Sequence, residues 1–97
     1  MKIVWHAQAA TEFEAAVDYY FVKAGAEVAG DFRNEVANVT NRLRIHPEIG
    51  IRVRHQARRF SLHGYPYNLI YRLAPETIII VALAHQRRRP GYWVGRR

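Results

Sequence analysis

Residues 66–85 read PYNLIYRLAPETIIIVALAH, and they decide the fold. Tyr67, Leu69 and Tyr71 alternate with Asn68, Ile70 and Arg72, the period of a strand with one apolar face. Ala74 to Glu76 carries turn chemistry. The run from Thr77 to Ala84 is apolar on both faces, which marks a strand inside a sheet and not at its edge. Upstream, His63 to Pro66 is a second turn. A four-residue loop there pairs Leu62 with Tyr67 and Phe60 with Leu69. Phe60, Leu62, Tyr67, Leu69 and Tyr71 then share an apolar face, while Arg59, Ser61, Asn68, Ile70 and Arg72 share the other. A slip by one residue would bury two unpaired arginines.

Working outward, Ile51–Arg54 and Ala57–Leu62 alternate with the same period and are read together as the strand entering this unit. Before it, Val28, Phe32, Val36, Val39 and Leu43 form a helical stripe that Pro47 forbids from continuing. Earlier still, Phe13, Ala16, Val17 and Tyr20 mark a helix from about Ala7 to Lys23. Thr11–Glu14 resembles a capping box that would start it later, but the alanines at 7, 9 and 10 favour the earlier start. Gly25 sits in a stop-and-turn, so the helices are antiparallel neighbours. Residues 2–5, KIVW, read as a first strand. The expectation is an α+β fold, β-α-α-β-β-β, with a helical hairpin on one face of a largely antiparallel four-stranded sheet. The opposite face is expected to lie bare.

The 97 residues fit one domain, 1–97, with a basic aromatic tail at 86–97 that is expected to order only on binding. With no cysteine, disulfides and thiolate zinc sites are excluded. No leader peptide or membrane span is read, which points to a cytoplasmic protein without a membrane partner. The net charge of +7 is unevenly spread: residues 1–50 carry five Lys/Arg against seven Asp/Glu, and residues 51–97 carry ten Arg against Glu76 alone. Arginine without lysine favours planar, bidentate recognition of anions over mere solubility. Arg59 and Arg72, with Arg87, Arg88, Arg89, Tyr92 and Trp93 of the tail, are the expected partner-binding residues.

No metal motif, cofactor motif or phosphate loop is present. The five histidines lack ligand spacing: His46 suits a helix C-terminus, His6 and His63 suit turns, and His55 and His85 are placed near the cationic face. A metal-free ribonuclease would need a base and several cations, and Arg59, Arg72, Arg87 and His85 are of suitable types. Arginine is a poor proton acceptor, leaving the base to His85 or His55. A nucleic-acid-binding module without catalysis fits the same charge pattern.

The ordered set AATEFEAAVDYY, the spacing from Phe32 through Pro47 to Gly50, RRFSLHGYPYNLIYRL and VALAHQRRRPGYW resembles the RelE/ParE superfamily of type II toxin–antitoxin toxins, of the plasmid stabilisation type. The resemblance implies a toxin neutralised by a cognate antitoxin in a hetero-oligomer. It also implies one of two targets, DNA gyrase for ParE-like members or the ribosome and its mRNA for RelE-like ones. RelE-like members commonly carry a catalytic arginine where this chain has Asn68, which places the chain nearer the ParE-like branch. The family's basic cluster is matched by Arg87 and Arg88 and its tail aromatic by Tyr92, which the resemblance adds to the ribonuclease candidates Arg59, His85 and Arg87.

Overall fold

The computed structural model describes all 97 residues. Strand β1 (Lys2–Trp5) leads into helix α1 (Ala7–Ala24) and then helix α2 (Ala26–Ile45). Strands β2 (Ile51–Arg52), β3 (Ala57–Ser61), β4 (Tyr67–Ala74) and β5 (Thr77–His85) follow. The sheet order is β1-β5-β4-β3-β2, with β1 parallel to β5 and every other pairing antiparallel. No helix is long and apolar enough to cross a membrane.

Helix α1 starts early, as its alanines dictate. His6 is its N-cap: His6 Nδ1 accepts from Gln8 N–H at 3.0 Å. Thr11 makes no capping box and instead donates its hydroxyl back to the Ala7 carbonyl at 3.1 Å. Gly25 alone separates the helices, at φ 93°, a conformation that favours glycine. Ala16, Val17, Phe32, Val36, Val39 and Leu43 pack on Leu62, Leu69, Tyr71, Ile78 and Ile80 of the sheet.

The sheet has five strands, not four. Residues 51–62 do not run on as one strand; they fold back at Val53–Gln56, with His55 and Gln56 both at φ 58°. The alternation of arginines and apolar residues on both sides of this turn hides it, since no Gly or Pro marks the break. The β3–β4 register follows the expected one, with Phe60 opposite Leu69 and Leu62 N–H donating to the Tyr67 carbonyl at 3.0 Å.

The loop after α2 is tied to the core by one phenol. Tyr71, fully buried, donates its hydroxyl to the Pro47 carbonyl at 2.8 Å and accepts from Gly50 N–H at 2.9 Å. A Cβ on Gly50 would lie 2.6 Å from that oxygen, so only glycine fits. Arg58 completes the tie by donating to the Glu48 and Gly50 carbonyls.

The far side of the sheet is not bare. Strand β5 carries a bulge: Ile80 pairs with Tyr71 and Ala82 with Ile70, leaving Val81 without an opposite residue. The alternation therefore shifts phase. Leu83 enters the helix-side core, while Val81, Ala82 and Ala84 join Ile70 and Ala57 on the other face. Trp93, 4% exposed, covers this second cluster, with Tyr92 and Val53 at its margin. The C-terminal tail thus forms a partial third layer. A strand apolar on both faces needs cover on both faces, and Trp93 supplies the second.

Candidate functional site

The tail turns back because its hydrogen bonds and one glycine allow it. Arg88 N–H donates to the His85 carbonyl, Val94 N–H to Gly91, and Arg96 N–H to Trp93. Gly91 adopts φ 76°, and a Cβ there would press on Arg54 and Val94 at 3.3 to 3.5 Å.

A single carboxylate from α1 fastens the turned tail. Glu12 Oε1 accepts from Arg96 Nη1 at 2.9 Å and from Leu83 N–H at 3.1 Å. Glu12 Oε2 accepts from the Tyr92 hydroxyl at 2.7 Å and from Arg96 Nη2 at 3.0 Å. The Arg96–Glu12 pair is bidentate and mostly shielded, at 12% and 17% side-chain exposure. Arg96 also donates to the Val81 carbonyl at 3.1 Å. Strand β1 ends at Trp5 opposite Ile80, so the β5 backbone groups beyond it lack a strand partner. Glu12 and Arg96 supply the missing acceptor and donor. Burial, then the hydrogen bond to Glu12, pushes the Tyr92 phenol well above its ordinary value.

Between this tail and the face of β3, β4 and β5 lies a cavity of about 370 Å³. Its lining includes Arg54, Arg59, Arg88 and Arg89 and contains no carboxylate. None of these four guanidinium groups has a hydrogen-bond acceptor or an ion-pair partner within the protein. Arg88 lies 3.8 Å over the Tyr92 ring, an arrangement that fixes the guanidinium plane and leaves its N–H edges free.

Of the residues expected from sequence, Arg59, His85, Arg88, Arg89, Tyr92 and Trp93 line this cavity. Arg72 lies beneath the tail: it donates to the His55 and Arg96 carbonyls at 3.2 and 2.9 Å and sits 5.9 Å from the Trp93 ring. Arg87 is exposed and outside the cavity lining, and its N–H donates to His85 Nδ1 at 3.1 Å. That bond places the proton of neutral His85 on Nε2. His55 sits exposed in the β2–β3 turn, also outside the lining. Asn68 lines the cavity, and its Oδ1 accepts from Ser61 Oγ at 2.8 Å and Gln86 Nε2 at 3.4 Å. Its amide N–H groups therefore remain free.

Sequence reasoning missed Arg54 and Glu12. Arg54 reaches the cavity only because the chain folds back after Ile51–Arg52. Glu12 lies among other α1 acids, and nothing local separates a tail clamp from a solvated carboxylate. No group of three or more His, Cys, Asp or Glu is arranged to hold a metal ion.

Comparison with known proteins agrees with this architecture. A family model described as the ParE toxin of type II toxin–antitoxin system, parDE, matches residues 3–90. Among solved structures, a chain of the chromosomal ParDE TA system from P. aeruginosa superposes with a TM-score of 0.78 at 22% identity, over 88% of this chain and 95% of that one. That likeness is one of fold. No curated protein matches the chain. With the family model running from within β1 through both helices to the end of β5 and beyond, the chain belongs to the ParE toxin family of type II toxin–antitoxin systems.

Proposed function

We propose that this toxin acts as an interaction protein that poisons DNA gyrase, and that a cognate antitoxin neutralises it. The observation carrying this reading over RNA cleavage is that the cavity offers donors but no free base. Cleavage by a 2′-hydroxyl needs a group to take its proton. Tyr92 has its hydroxyl committed to Glu12, and Glu12 has both oxygens occupied by four hydrogen bonds. His85 spends Nδ1 on the Arg87 amide. The remaining candidates are arginines, and Asn68 stands where the ribonuclease branch commonly has one.

The neutralising partner would carry an acidic, amphipathic segment laid across Arg59 and the exposed tail arginines. Ion pairing there should make the complex salt-sensitive while apolar contacts hold it together. The test is a gyrase supercoiling assay run beside a ribosome-dependent mRNA cleavage assay on the same purified protein. Loss of supercoiling with intact mRNA supports the proposal. Unaffected supercoiling with codon-positioned mRNA cuts overturns it.

A further inference from the structure

The cavity beneath the tail is rich in donors and carries no carboxylate. Arg54, Arg59, Arg88 and Arg89 face it without any acid among its lining residues. The Asn68 amide turns its acceptor oxygen to Ser61 and Gln86 and keeps its N–H groups free. His85, with Nδ1 accepting from Arg87, offers an N–H at Nε2. A site with four unpaired guanidinium groups and no acid is complementary to a ligand that accepts hydrogen bonds and carries negative charge.

Two of the donors, Arg88 and Arg54, are positioned by packing and not by counter-ions. Arg88 stacks on Tyr92 at 3.8 Å. The Arg54 side chain lies where a Cβ on Gly91 would meet it at 3.3 Å. Tyr92 is fixed in turn by Glu12 and Arg96. Guanidinium groups positioned this way need not break an ion pair to receive an anion, so less is lost on binding. The volume of about 370 Å³ lies near the lower end of the roughly 300–1,000 Å³ typical of small-molecule sites. That suits one phosphorylated small molecule and excludes a duplex.

We infer that this cavity is a binding site for the phosphate group of a phosphomonoester, clasped by Arg54, Arg59 and Arg88 over the Asn68 amide. A tetrahedral dianion with three terminal oxygens can engage several forked donors around one cavity, which a planar carboxylate with two oxygens does less well. The site goes beyond the gyrase reading and does not depend on it. Phosphate affinity is measured without any partner, so failure of either leaves the other standing.

The experiment is isothermal titration calorimetry on the full chain at fixed chloride, with inorganic phosphate and with adenosine 5′-monophosphate. An oligonucleotide lacking terminal phosphates distinguishes a phosphomonoester site from one for backbone phosphodiesters. Saturable one-to-one binding of phosphate and of the monophosphate is expected, weakened at least tenfold in Arg59→Gln and in Arg88→Gln. Arg52→Gln, outside the cavity, should change affinity less than twofold. Both test side chains are exposed and make no hydrogen bond, so the variants should keep wild-type circular dichroism. Three results would each overturn the inference: no saturable binding by wild type, equal weakening in Arg52→Gln, or binding of the oligonucleotide without binding of the monophosphate.

Discussion

The Tyr92 hydroxyl donates to Glu12 Oε2 at 2.7 Å, joining the first helix to the tail across 80 positions of sequence. Through this bond an acid in the acidic half of the chain sets the shape of the basic half. The tail carries Arg88 and Arg89 to the cavity and seats Trp93 on the second core.

Glu12→Ala should therefore loosen the tail without unfolding the helical hairpin. It strands Arg96 and the Leu83 N–H in a shielded site, at a cost of about 2–4 kcal/mol. Urea denaturation should show a lower midpoint. Limited proteolysis should cut the variant near its C-terminus well before the wild type.

Trp93→Ala should cost about 3–5 kcal/mol, because it uncovers Ile70, Val81, Ala82 and Ala84 at once. Near-ultraviolet circular dichroism and a thermal melt would read it. A loss below about 1 kcal/mol would mean that the tail does not cover this face in solution.

These two expectations also mark where sequence reading stopped. The helical stripes ending at Pro47, and the Phe60–Leu69 register, depend on residues near each other in sequence, and local periodicity revealed them. The fold-back at His55–Gln56 lacks glycine or proline, so its arginine-rich flanks passed for one strand. The bulge at Val81 is silent in an all-apolar run, yet it decides that Leu83 faces the helices. The tail's place was recoverable in principle: Ile70 on an otherwise polar face, beside a strand apolar on both sides, called for a cover. Most of the cavity-lining arginines could be named, but Arg54 and the Glu12 clamp depend on contacts between distant parts of the chain.

Gly50→Ala should be destabilising by about 1–3 kcal/mol, because its Cβ would lie 2.6 Å from the Tyr71 hydroxyl. The effect should shrink in a Tyr71→Phe background, where the crowding oxygen is gone. A double-mutant cycle by denaturant unfolding would measure that coupling.

Alkaline pH should unfold the protein through its phenols. Burial raises Tyr20, Tyr65, Tyr67, Tyr71 and Tyr92 above the ordinary value of 10.0, with the Glu12 bond adding to the rise at Tyr92. The folded state then holds protons that the unfolded chain releases. The stabilisation is complete below pH 10 and is lost as pH climbs through the folded values. Stability should fall steeply above about pH 10, and less steeply in Tyr92→Phe. Denaturant midpoints taken from pH 8 to 11 would check both slopes.

The most direct measurement is made in bacteria after induction of the protein without its antitoxin: chromosome integrity and the 5′ ends of mRNA, followed in the same culture. Double-strand DNA breaks with unbroken transcripts are expected of a gyrase poison. An intact chromosome with transcripts cut at positions phased to codons would contradict it.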